Sequence, residues 1–174
     1  PKTLLPDIPT NIGGFNPQNF DLGYSGAIPA DRALTRSINI PAVNMLKKYR
    51  YEKFHALLKN LGITTLNKPA NHYGLSLILG GAEATLWDLA GVYASLARNL
   101  KHYYENGALY YKYDYHPLSY NKTNYPSAKD NNFKDLTDNS LIDASAIWLM
   151  IKAMVEVERP QDENFWREFG SSRK

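Results

Sequence analysis

The sequence has no cysteine, which excludes disulfide bridges and thiolate metal sites and suits a periplasmic protein. It has little net charge. Twenty Lys and Arg stand against 17 Asp and Glu, leaving +3 with His neutral. The basic residues are scattered and form no patch or stripe, so a nucleic-acid partner is not expected. No apolar run approaches the roughly 20 residues of a membrane-spanning helix, and no secretory leader is visible. There is no internal repeat and no low-complexity tract. No cofactor and no metal are expected. The chain opens on Pro1-Lys2-Thr3 without Met and reads as a piece of a longer protein, with any targeting segment upstream.

What is present fits one domain with a real core: 174 residues, 44% hydrophobic. Residues 1–29 carry five Pro and four Gly and read as extended chain with turns, because each Pro pushes its predecessor away from helix. Within them, Phe15–Phe20 reads as a polar loop with aromatic anchors, hugging the surface. A short helix over 30–36 contributes Ala33 and Leu34. From Tyr51 to Leu61, Phe54, Leu57, Leu58 and Leu61 recur at helical spacing, with Gly62 just past the end and His55 off the stripe, hence solvated. The run Leu75–Leu79 is short enough for a buried strand or a buried helical segment. Thr85-Leu86-Trp87-Asp88 is a capping box. It opens a helix to about Asn99, with Leu86, Leu89, Ala90, Tyr93, Leu96 and Ala97 inward and small residues that suggest a close helix crossing. Ser140–Asp143 is a second such box, before a helix to about Glu156 with Ala144, Ile147, Trp148, Ile151 and Val155 as its stripe. Arg159-Pro160 breaks it, and Phe165, Trp166 and Phe169 form an aromatic cluster beyond. Eight of the 13 Tyr lie between 103 and 125, and the alternation Leu109, Tyr111, Tyr113, Tyr115 predicts a strand or hairpin near 108–115. Residues 116–139 read as loop. The fold class is therefore mainly α with one small β element.

The stretch Arg36-Ser37-Ile38-Asn39-Ile40-Pro41 joins two helical runs. A Ser and an Asn two apart on a tight connection can aim two small polar groups at one spot. The same residues also serve as plain structure. Asn39 or Ile40 suits the N-cap of the next helix, Pro41 its first turn, and Ser37 the end of the helix before.

Several spaced blocks in one order carry a resemblance: Leu5–Thr10, Phe15–Phe20, Ala33–Val43, His72–Gly81 and Asp88–Ala94. Together they resemble class A penicillin-binding proteins, most of all their 1C type, with a source in the Bacteroides group. The family has three signatures, Ser-x-x-Lys, Ser-x-Asn and Lys-Thr-Gly. Only the middle one stands here, as Ser37-Ile38-Asn39. Lys-Thr-Gly is absent, and Ser119–Lys122 and Ser171–Lys174 match Ser-x-x-Lys by letter but follow Ser-x-Asn, the wrong order.

The resemblance implies that residues 1–174 are part of a transpeptidase domain, the segment between Ser-x-x-Lys and Lys-Thr-Gly. The fold implied is the α-helical part of a serine β-lactamase/transpeptidase-like α/β fold. Ser37 and Asn39 would be its catalytic residues: Ser37 relays a proton between a lysine and the leaving group, and Asn39 hydrogen-bonds the acyl amide of the substrate. Peptidoglycan stem peptides and β-lactams would be the partners of the whole protein, at the periplasmic face of the inner membrane, with a glycosyltransferase domain upstream. The chain alone, lacking the nucleophile, would be inactive. Exposed apolar stripes imply a face near Ser37 covered by another copy of the chain. A second reading is a non-catalytic helical module that binds peptidoglycan or a protein partner through its Tyr-rich strand and loop.

Overall fold

A computed structural model describes residues 2–121 and 135–157. The aromatic cluster at Phe165, Trp166 and Phe169, the break at Arg159-Pro160 and the Ser171–Lys174 match lie outside the described residues, as does Lys122 of the other match. The element order is β1 (Leu4–Asp7), β2 (Gly26–Pro29), α1 (Ala30–Thr35), α2 (Asn39–Tyr49), α3 (Tyr51–Asn60), α4 (Ala70–Tyr73), a 3-10 turn (Gly74–Leu79), α5 (Leu86–Glu105), β3 (Tyr110–Tyr111), β4 (Leu136–Thr137) and α6 (Ala144–Val155). The chain is mainly α, as expected, with two small antiparallel strand pairs. The described residues form two compact units, one from 2–44 with 150–157, the other from 45–121 with 135–149.

In the first unit, β1 pairs antiparallel with β2 from Leu4↔Pro29 to Asp7↔Gly26. This pair falls where Pro-rich sequence predicts only extended chain with turns. Extended backbone is what Pro favours, and two such stretches of opposite direction satisfy each other's amides. Ile28 and Ala33 are buried, whereas Leu34 is exposed. The loop between the strands is anchored by Asn19, which is buried, and not by Phe20, which is 93% exposed.

In the second unit, Leu46, Ile63, Leu66 and Leu77 form the core, with Phe54, Leu58, Leu75 and Ile78 packed on it. The α3 stripe is thus partly confirmed, through Phe54 and Leu58. Helix α3 ends in a Schellman motif: Gly62 takes φ +102°, its N–H reaches the Lys59 carbonyl at 3.0 Å, and the Ile63 N–H reaches the Leu58 carbonyl at 3.1 Å. His55 is buried, not solvated, because its ring Nε2 lies 3.1 Å from the Lys68 carbonyl. Of the two alternatives for the run 75–79 the helical one holds, as part of a 3-10 helix in which Leu77 is buried.

Helix α5 departs most from expectation. Thr85 caps it as predicted, its hydroxyl accepting from the Asp88 N–H at 3.0 Å, but the helix runs six residues past Asn99. Its buried residues are Asp88, Gly91, Ser95, Leu96 and Asn99, while Leu86, Leu89 and Tyr93 are exposed. The polar side chains are buried because each finds a partner: Asp88 at Thr64, Ser95 at the His116 carbonyl, Asn99 at Ser140. At Gly91 the close neighbour is the chain at Pro117 and Leu118, not a crossing helix.

Strand β3 pairs with β4, Tyr110↔Thr137 and Tyr111↔Leu136, so the predicted strand near 108–115 exists but is two residues long. Asp114 then turns the chain back, its carboxylate 2.5 Å from His102 Nδ1 on α5. Helix α6 begins at Ala144, four residues after Ser140. Ser140 does not cap it; its hydroxyl donates to the Ile142 carbonyl instead. Of the predicted α6 stripe, Ala144 and Ile147 are buried, whereas Trp148, Ile151 and Val155 are exposed.

Asp88 offers a direct test of this packing. The Thr64 hydroxyl at 2.7 Å, and then the Thr64 N–H at 2.9 Å, hold its carboxyl below the ordinary value. A carboxyl depressed in the folded state contributes stability above its unfolded pKa, and that contribution is lost as pH falls through the folded one. Thr64→Val should therefore cost stability at pH 7, and the gap to wild type should narrow as pH falls below the ordinary carboxylate range. Urea midpoints at several pH values would show it; a gap independent of pH would contradict the assignment.

Candidate functional site

Helix α1 is six residues long and stops at Arg36. The chain then makes a Schellman turn like the one that ends α3. The Ser37 N–H donates to the Leu34 carbonyl at 3.1 Å, and the Ile38 N–H to the Ala33 carbonyl at 2.9 Å. Ser37 occupies the left-handed position, φ +52°, that Gly62 fills at the end of α3. An L-residue there costs about 1–2 kcal/mol relative to its usual backbone regions, and glycine avoids that cost. The side chain of Ser37 is exposed. A strained backbone that carries an exposed hydroxyl where glycine would fit better is an outlier of the kind that gathers at functional positions.

Asn39 is the first residue of α2 rather than its cap, and it is half-buried. Its side chain does not accept from the helix backbone. It donates, Nδ2 to the Gln18 carbonyl at 2.8 Å. Ser37 and Asn39 therefore lie on one connection, flanked by α1 and α2, with Pro41 in the first turn of α2 as expected.

Two residues that sequence reasoning passed over lie at this connection. Asn19 Oδ1 accepts from the Ile40 N–H at 3.2 Å, and Asn19 Nδ2 donates to Asp7 Oδ1 at 2.7 Å and to the Gly23 carbonyl at 2.8 Å. Asp7 Oδ2 accepts from the Ser25 N–H at 2.7 Å. Both side chains are almost fully buried, Asp7 at 1% exposure and Asn19 at 3%. Neither lies in a periodic segment; both fall within blocks of the resemblance, Leu5–Thr10 and Phe15–Phe20, which do not by themselves assign a role to either side chain. Among the described residues no group of three or more His, Cys, Asp or Glu could hold a metal ion, and no helix is long and apolar enough to cross a membrane.

Replacing Ser37 with Gly should relieve the left-handed strain and raise stability by up to about 1 kcal/mol, while Ser37→Val should lower it. Thermal midpoints of the three proteins would show the order Gly, Ser, Val; a Gly variant less stable than wild type would contradict strain at this position.

No family model matches the chain. The chain is 44% identical over 101 residues to penicillin-binding protein 1C of Escherichia coli (strain K12), a stretch covering 58% of this chain and 13% of that protein. It is 28% identical over 152 residues to penicillin-binding protein 1A of Streptococcus pneumoniae (strain ATCC BAA-255 / R6), covering 83% of this chain and 19% of that protein. It is 35% identical over 101 residues to penicillin-binding protein 1F of Bacillus subtilis (strain 168), covering 57% and 13%. The chain thus spans well under a quarter of the length of the curated relatives it matches. Each of these three relatives, from three bacteria, is named a penicillin-binding protein.

Proposed function

We propose that this chain is the middle part of a peptidoglycan D,D-transpeptidase domain of a class A penicillin-binding protein of the 1C type, acting in cell-wall synthesis at the periplasmic face of the inner membrane. One observation carries the reading: an exposed serine held at positive φ two residues before an asparagine whose amide is fixed by the backbone. The likeness to proteins named for binding penicillin also supports it.

In this reading a serine outside the chain attacks the carbonyl of the D-Ala–D-Ala bond of a stem peptide. An ester to the enzyme forms, the terminal D-Ala leaves with a proton on its nitrogen, and the amine of a second stem peptide then displaces the serine to give the cross-link. β-Lactams acylate the same serine. Ser37 passes the proton, since a hydroxyl both donates and accepts. Asn39 holds the acyl amide of the substrate. One Nδ2 hydrogen is used by Gln18, which leaves the other, together with Oδ1, for a peptide group. The exposed apolar side chains of α5 are surfaces that the rest of such a domain would cover.

A non-catalytic module that binds peptidoglycan or a protein partner is the second reading, and one observation favours it. A recess of about 250 Å³ is lined by Tyr110, Tyr111, Tyr115, Lys112 and Asn99, and the buried Asn99 Oδ1 has no hydrogen-bond partner among the described residues.

Labelling by a fluorescent penicillin separates the two. The chain alone should take no label, because the members of such a site act as a unit. In a full-length protein carrying the segment, Ser37→Ala and Asn39→Ala should each slow acylation about a hundredfold with little change in folding. Wild-type acylation in both variants would overturn the catalytic reading and favour the binding module.

A further inference from the structure

Asp7 is a carboxylate buried without a cation against it among the described residues. Burial of such a group is costly unless hydrogen bonds replace its water, and here two do, from Asn19 Nδ2 and the Ser25 N–H. A carboxylate only accepts. It therefore dictates which way the neighbouring amide faces: Nδ2 of Asn19 must point at Asp7, and Oδ1 must point away from it. Both Nδ2 hydrogens are used, at Asp7 and at the Gly23 carbonyl, and Oδ1 is left for the Ile40 N–H.

Ile40 is the second residue of α2, and its N–H is one of the donors that a helix start leaves without an intrahelical partner. A cap for such a group usually comes from the residue just ahead of the helix. Here it comes from 21 residues earlier in the chain. The preceding pair repeats the pattern with the roles reversed. Main-chain Gln18 accepts from side-chain Asn39, and side-chain Asn19 accepts from main-chain Ile40. Two consecutive loop residues thus grip two consecutive residues of the connection that carries Ser37. The Ser37 backbone is fixed from the other side by the turn that ends α1.

We infer that Asp7 and Asn19 are positioning residues for Ser37 and Asn39. The Asp7 carboxylate sets the Asn19 amide, Asn19 sets the start of α2 and, through Gln18, the plane of the Asn39 amide that meets the acyl amide of the stem peptide. This rests on the transpeptidase reading proposed above. Neither Asp7 nor Asn19 touches substrate; their effect is on the angle and distance of groups that do, and displacements on the order of 1 Å at such groups cost about a hundredfold in rate.

The test uses a full-length protein that carries the segment. Acylation by a fluorescent penicillin is resolved into a limiting rate and an apparent dissociation constant, with thermal midpoints measured alongside. Asn19→Leu should lower the limiting rate about tenfold or more in protein that is still folded. Asn19→Asp keeps the acceptor for Ile40 but sets two carboxylates against each other, and should slow acylation as well. The exchanged pair Asp7→Asn with Asn19→Asp restores one donor and one carboxylate between the positions but leaves the Gly23 carbonyl without its donor, and should recover part of the rate lost in Asn19→Asp. This comparison decides the matter if Asn19→Leu does not fold. Single variants that acylate at the wild-type rate, or an exchanged pair no faster than Asn19→Asp alone, would overturn the inference. Ser37→Ala and Asn39→Ala are measured beside them. If those are slow while the Asn19 variants are not, only the positioning role falls. If those acylate normally, the transpeptidase reading falls and the positioning role falls with it.

Discussion

The amide of Asn19 is the constraint on which the first unit depends. Every one of its hydrogen-bonding groups is used inside the protein, and its partners come from β1, from its own loop and from the start of α2. An amide satisfied in this way cannot flip or be replaced by another side chain of similar size without leaving a buried donor or acceptor unpaired, which costs about 1–3 kcal/mol per group. Strand β1 is only four residues long and its hairpin partner no longer. Two strands of that length are marginal in water by themselves. The polar network supplies the long-range ties that a small apolar core would otherwise provide.

The ends of α1 and α3 place different residues at the same left-handed position. Both helices stop in the same turn, with the same two hydrogen bonds. At the end of α3 the left-handed residue is Gly62, the residue with least to lose there. At the end of α1 it is Ser37. Local energetics favour glycine at both positions, although Leu22, Arg50 and Ala108 also take positive φ elsewhere in the chain. The exposed Ser37 side chain, two residues before an Asn39 amide held by the Gln18 carbonyl, agrees with the roles that the family resemblance implies for this turn.

Much of the architecture was legible in the sequence, and the failures share a cause. The periodicity of Phe54 and Leu58, Gly62 at a helix end and Thr85 at a helix start are local signals, and local hydrogen bonding decides them. The inner face of α5 differs from the one its apolar spacing predicts, because apolar spacing alone does not decide burial. In the fold, Ser95 and Asn99 go inside since carbonyl and hydroxyl partners wait for them, while Leu86 and Tyr93 stay outside. His55 was misread for the same reason, its partner being a carbonyl 13 residues away. At the candidate site, Ser37 and Asn39 were legible through the family resemblance. Asp7, Gln18 and Asn19 were not, because contacts across 12 and 21 residues leave no trace in spacing.

The central claim is that the Ser37–Asn39 connection faces a reacting serine supplied from outside this chain. A structure of the full-length protein acylated by a β-lactam tests it most directly. The account predicts the Ser37 hydroxyl within reach of the acylated serine, directly or through one lysine, and an Asn39 amide atom about 2.7–3.2 Å from the amide of the acyl group. An acyl-enzyme in which both side chains lie well beyond hydrogen-bonding distance of the adduct and its lysine would contradict it.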